Sequence, residues 1–259
     1  MPPRTRHPAI GTRAWTVAQE LRARRGWLLD AASFQRSWAV HGAAAFEVSA
    51  HVSLFFHSQC MVVSLTWKPS KARAALESLH ASLGERYRSD PTRTSLVVSV
   101  RTDRPARLLA EIAHVEQVLG AGAVRRFGPS PRSQDRRRWH VVDALRAGAW
   151  RIGSLTFSRS IGDEHRHLGA SIGVLVDSAS GRPGLNANVA GWVPRTSKRW
   201  RQFRDDTAVG LTAEGFRINE QSACFFHAGR WIAGLDSARA LHQVDAFDHL
   251  LATGADVVR

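Results

Sequence analysis

Apolar and polar residues alternate cleanly early in the chain. Across residues 46–56, Phe46, Val48, Ala50, Val52 and Leu54 fall on one face, the period of a half-buried strand. A short turn at Ser58 and Gln59 leads into Cys60–Trp67 (CMVVSLTW), which reads as a second, more buried strand, and residues 95–100 (SLVVSV) read as a third. Between them, Pro69 and Ser70 start a helix over 71–88. Ala72, Ala75, Leu76, Leu79 and Leu83 make its stripe, and Asp90-Pro91 breaks it. Another helix is expected over 106–119, with Pro105 in its first turn and Leu108, Leu109, Ile112, Val115 and Val118 inward. Upstream, residues 15–25 have helical composition up to Gly26, and 27–40 (WLLDAASFQRSWAV) read as a second helical piece. If 9–14 supply a weak first strand, the order to Val100 is βαββαβ, a ferredoxin-like or RRM-like unit.

The pattern restarts after residue 140. A helix is expected over 141–148, strands over 150–158 and 168–176, and a loop over 178–191 (SASGRPGLNANVAG). A short basic helix follows over 196–206, then short strands at 216–219, 223–227 and 230–233, and a last helix over 237–251 capped by Asp236. No strict internal repeat is legible, and the halves share an α+β pattern without letter-level similarity. The expected fold class is therefore α+β: a ferredoxin-like (RRM-like) domain over 1–122, an arginine-rich linker or loop over 123–140, and a second, irregular α+β half over 141–259 with an inserted basic helix.

Charge changes this picture most at 123–140, AVRRFGPSPRSQDRRRWH. Arg125, Arg126, Arg132, Arg136, Arg137 and Arg138 face one acid, Asp135, and Pro129 and Pro131 argue for a loop. Arginine suits phosphate because its planar fork donates two parallel hydrogen bonds and stays charged. A disordered, solubilising linker is the competing reading. Over all 259 residues, 36 Lys+Arg against 22 Asp+Glu give a net charge of +14, and only Lys68, Lys71 and Lys198 are lysines. With nine tryptophans, this points to a polyanionic partner, against the plainer explanation of a GC-rich genome. Cys60 and Cys224 are far apart, which excludes a disulfide scaffold or thiolate zinc site. No apolar run reaches the ~18 residues of a membrane span. The basic start (MPPRTRHPAIGTR) lacks an apolar run of the secretory kind, so a cytoplasmic location is expected, with no membrane partner.

Residues 194–204 (PRTSKRWRQFR) form a second cluster. Arg195, Lys198, Arg199, Arg201 and Arg204 interleave with Trp200 and Phe203, as cations on phosphates and rings on bases require. The alternative is a solvated helix with Trp200 in the core. A third cluster gathers Arg22, Arg24 and Arg25, with Arg36 and His41 further on. A histidine there could accept a ribose 2′-hydroxyl proton. His165 and His167 beside Asp163 and Glu164 resemble a metal pair, but Arg166 between them opposes a cation, so a polar turn is preferred and no metal is assigned. The glycines form neither GxGxxG nor GxxxxGK[ST], and no cofactor is expected.

The element order over 15–100, the arginines at 22–25 and 36, the basic helix at 194–204 and the glycine-bearing loop at 181–191 resemble the CRISPR repeat-RNA endonucleases of the RAMP superfamily, in particular their arginine-rich type IV branch. The resemblance covers most of the chain in outline. It implies metal-independent cleavage of a repeat RNA at the foot of a hairpin by 2′-hydroxyl attack, with retention of the product. His41, Arg24, Arg25 and Arg36 would be catalytic. RNA would lie on Arg22, Arg125, Arg126, Arg136, Arg137, Arg138, Arg195, Lys198, Arg199, Trp200, Arg201 and Arg204. The partners implied are structured RNA, as a repeat hairpin or mature guide, and other subunits of an effector complex. The rival readings are a non-catalytic nucleic-acid-binding subunit of a ribonucleoprotein and a plasmid DNA replication initiator.

Overall fold

The computed structural model describes residues 8–24, 26–40, 46–120, 131, 133–162, 167–176, 183–192, 198–221, 225–231 and 237–254. It forms two compact units. One is continuous, Ala31–Ile152, and the other joins Met1–Asp30 to Gly153–Arg259. The class is α+β. In chain order the elements are α1 (Pro8–Ala23), β1 (Leu28–Val40), β2 (Phe46–Phe55), β3 (Cys60–Trp67), α2 (Ala72–Leu83), β4 (Arg88–Ser89), β5 (Ser95–Arg101) and α3 (Pro105–Val118). There follow α4 (Gln134–Ala147), β6 (Arg151–Gly162), β7 (His167–Val176), β8 (Pro183–Trp192), α5 (Lys198–Ala213), β9 (Arg217–Gln221), β10 (Phe225–Trp231) and α6 (Ser237–Thr253). Among the described residues no helix is long and apolar enough to cross a membrane.

The two series are the same: αβββαββα, twice. The continuous unit orders its antiparallel strands β4-β5-β3-β2-β1, and the discontinuous unit orders β9-β10-β8-β7-β6. Registers agree as well. Phe34, Arg36 and Trp38 lie opposite Val52, Ala50 and Val48, and Phe157, Arg159 and Ile161 lie opposite Ile172, Ala170 and Leu168. Once aligned by structure, the letters follow. Residues 15–23 (WTVAQELRA) match 139–147 (WHVVDALRA), and 27–37 (WLLDAASFQRS) match 150–160 (WRIGSLTFSRS). The residue before each second tryptophan has left-handed backbone, Gly26 at φ 92° and Ala149 at φ 60°. The chain is an internal duplication.

The leading helices are exchanged. α1 belongs to the first repeat but packs on β7 and α6 of the second, and α4 belongs to the second but packs on α3 of the first. Val17, Ala18 and Leu21 of α1, and Val141, Val142 and Leu145 of α4, are the equivalent buried stripes. The last helices match likewise: Leu108, Ile112, Val115 and Leu119 of the first repeat stand where Ala240, Val244, Phe247 and Leu251 stand in the second, all buried.

One polar node recurs in each unit. Arg36 and Arg159 occupy core-facing positions of β1 and β6, where an unpaired charge is costly. Glu116, buried on α3, accepts from Arg36 Nη1 at 3.2 Å and from Trp150 Nε1 at 2.8 Å. Asp248, at the matching turn of α6, accepts from Arg159 Nη1 at 2.9 Å and Trp27 Nε1 at 2.8 Å. In both nodes the tryptophan comes from the exchanged segment.

The structure corrects several expected elements. Residues 9–14 lie in helix α1, and 28–40 form strand β1, so the order is not βαββαβ. Alanine-rich β1 reads as helix in isolation; ten paired positions with β2 override that propensity. The tract expected as loop at 178–191 contains β8, which pairs on both sides despite its Gly, Asn and Pro. Residues 134–140 are helical because Ser133 caps α4, its Oγ accepting from Arg136 N. Two short strands expected at 223–233 are the single strand β10. The basic helix α5 is no insertion but the counterpart of α2.

Candidate nucleic-acid interface

β5 alternates, with Leu96, Val98 and Val100 buried. On its outer side the two-residue β4 covers only Val97 and Leu96, so residues 98–101 carry no further strand among the described residues. In the other repeat β9 pairs four positions of β10. The difference begins at the turn into β4. Tyr87 is buried, and its hydroxyl donates to Glu111 on α3, which pulls the chain toward α3. At its other end the β4–β5 turn is held by Asp90, whose carboxylate accepts from the backbone N–H groups of Thr94 (2.8 Å) and Ser95 (3.0 Å). Hydrogen bonds, first that from the Thr92 hydroxyl, hold the Asp90 carboxyl below its ordinary value.

The uncovered edge of β5 faces α3 across an open groove of about 670 Å³. Arg86, Arg88, Arg101 and Arg107 line it, and among the described residues Glu111 is the only carboxylate on it. Glu111 is already engaged: Arg86 Nη1 lies 2.6 Å from it, in addition to the Tyr87 bond. The side chain of Arg86 remains 54% exposed, and Arg88, Arg101 and Arg107 are exposed. The first turn of α3 contains no acid, yet Arg104 caps it and Arg107 follows. Cations are unfavourable at the positive end of a helix dipole, so these arginines add to a local positive field that an anion would relieve. The equivalent of Glu111 in the discontinuous unit is Gln243, and Phe216 stands where Tyr87 stands; Gln243 donates to the Glu214 carbonyl instead.

A second concavity, about 270 Å³, opens at the β2–β3 turn. Its walls include Phe55, Phe56 and Cys60 on the hairpin, Asp103 before α3, and Arg137 and Arg138 on α4. Arg137 Nε donates to the Pro131 carbonyl at 3.0 Å, and the Arg138 guanidinium lies 5.7 Å from the Phe56 ring centre.

The residues singled out in the sequence scatter. Arg24 pairs with Asp245 at 2.7 Å and Asp248 at 3.2 Å in the discontinuous unit. Arg36 belongs to the continuous unit, held by Glu116, by the Gly148 carbonyl at 2.6 Å and against the Trp38 ring at 4.6 Å. Arg25, His41, Arg125, Arg126 and Arg195 lie outside the described residues, as do Asp163, Glu164 and His165. Arg22 and Arg136 are exposed, on α1 and α4. On α5, Lys198, Arg199 and Arg201 are exposed, whereas Trp200 is fully buried against Phe203 and presents no ring to a base. Arg204 pairs with Asp205 at 2.7 Å. Sequence reasoning missed Arg86, Arg88, Arg101 and Arg107, which are spread over a turn, two strand ends and a helix; the available signals were the arginines on either side of Tyr87 and the one ending β5.

No protein-family model matches the chain, and no curated protein matches it. Among solved structures it is similar to I-SmaMI bound to an uncleaved DNA target in the presence of calcium ions, at 8% identity over 95% of this chain and 93% of that one. The TM-score of 0.15 carries no argument about fold or function.

Proposed function

We propose that the protein binds RNA through its phosphate backbone, along the groove between β5 and α3. The observation that carries this reading is the convergence of Arg86, Arg88, Arg101 and Arg107 on a strand edge that, among the described residues, carries no further strand and one carboxylate, already engaged. Guanidinium forks suit phosphodiester oxygens, and the net charge of +14 adds long-range attraction. A binding role is preferred to cleavage because Arg24 and Arg36, the described members of the candidate catalytic set, are paired with carboxylates of this chain.

The test is fluorescence anisotropy with hairpin and single-stranded RNA between about 50 and 200 mM salt. Replacing Arg88, Arg101 and Arg107 by alanine should weaken binding and flatten the slope of log affinity against log salt by roughly two to three units. Thermal stability should stay within about 0.5 kcal/mol, as at other exposed positions. Unchanged affinity and slope would refute the groove. Hairpin RNA incubated in EDTA should remain intact; a cut product would restore the nuclease reading.

A further inference from the structure

We infer that the concavity at the β2–β3 turn is a subsite for one unstacked guanine base; this rests on the RNA-binding reading above. Phe55 is 44% exposed, and it is the single aromatic among the exposed large apolar residues described. An exposed ring at a hairpin turn gains little from the fold and offers a stacking face, the usual platform for splayed-out bases. Phe56 and the Arg138 guanidinium over it form a second plane. The floor is rigid: Phe55 pairs with Cys60, Cys60 with Arg101, and Thr102 N donates to the Gln59 carbonyl at 2.8 Å.

The polar groups select the base. Asp103 and Arg137 line the same cavity. A carboxylate repels phosphate but accepts from two adjacent donors, which guanine presents at N1–H and N2–H₂. An arginine fork matches the O6 and N7 acceptors on guanine's other edge. Adenine places a donor where the fork needs an acceptor. The volume is just under the roughly 300–1,000 Å³ typical of drug-sized ligands, so one base fits better than a longer segment. The subsite and the groove share the β5–α3 connection: Arg101 and Arg107 line one, and Thr102, Asp103 and Leu108 line the other. A strand whose phosphates follow the groove therefore reaches the cavity.

Cys60 lines the cavity and reports its occupancy. In a Cys224→Ser background it is the only cysteine. Guanosine and GMP should slow its alkylation by N-ethylmaleimide several-fold, while AMP, CMP, UMP and inorganic phosphate leave it unchanged. Calorimetric titration with GMP provides a second readout should Cys60 alkylate slowly. Phe55→Ala and Asp103→Asn should abolish both signals. The Arg88/Arg101/Arg107 alanine variant should lose RNA affinity yet keep GMP binding. Protection by phosphate alone, equal protection by all four nucleotides, or no GMP binding by either readout overturns the subsite. If RNA binding survives the groove variant while GMP still protects Cys60, the groove fails and the subsite stands.

Discussion

Tyr87 is the chain's only tyrosine, so its ionisation can be read without a label. Its ring is fully buried and its hydroxyl donates to Glu111, the carboxylate that also orients Arg86 at the edge of the groove. Burial first, then the hydrogen bond and negative charge of Glu111, raise the hydroxyl far above its ordinary value of 10.0, with Arg86 opposing weakly. In the unfolded chain the same group ionises near 10. Below that pH both states keep the proton, and the stabilising contribution is fully present. Above it the unfolded chain sheds a proton that the folded chain retains, so stability falls by about 1.4 kcal/mol per pH unit. Tyr87→Phe removes this slope. It also costs on the order of 1–2 kcal/mol at neutral pH, because a buried carboxylate loses a donor. Urea unfolding of both proteins should show the gap between them narrowing by about 1 kcal/mol from pH 10 to 11, the first unit lying partly within the titration of the unfolded chain. The tyrosinate absorbance band should be absent from the folded protein in that range and appear on unfolding. A normal titration near pH 10 in the folded state, or parallel stability curves, would show that Tyr87 is not held protonated by the fold.

Glu116→Gln should lower stability by about 2 kcal/mol, less than for a fully buried pair, since Arg36 keeps the Gly148 carbonyl and is 24% exposed. Asp248→Asn should cost less, because Asp248 is 23% exposed against 7% for Glu116; thermal unfolding ranks the two, and equal or reversed losses contradict the account. Burial holds His51 below its ordinary value of 6.5, so its contribution is present above that pH and lost as the pH falls below it. His51→Leu should therefore flatten the acid side of the stability curve relative to the parent, measured as urea midpoints from about pH 7 to 5.

Groove and nodes together show how the duplicated fold diverged. Both units keep the Trp–acid–Arg node, because each places an arginine on the core side of its first strand and must compensate it. Among the described residues, only the continuous unit has the charged Tyr87–Glu111–Arg86 set beside a strand edge that carries no further strand. That asymmetry explains why the proposed interface lies on one unit.

The α+β class, the strands β2, β3, β5 and β7, and the helices α2, α3 and α6 were legible in the letters. Their one-sided burial writes a period of two or 3.6 directly into the letters. The cationic character was legible in them too. The tertiary structure alone decided β1 and β8, whose compositions favour helix and loop until neighbouring strands fix them. It also decided the duplication, since insertions move equivalent residues from 120 apart (Val48, Leu168) to 132 apart (Ile112, Val244) and erase any fixed period. The roles of the arginines were decided there too. Arg24 and Arg36 look like their neighbours in the sequence, but acids distant in sequence engage both, and Arg36 also sits on the core side of β1. Arg88, Arg101 and Arg107, unremarked in the letters, meet on one edge because β4 stops after two residues.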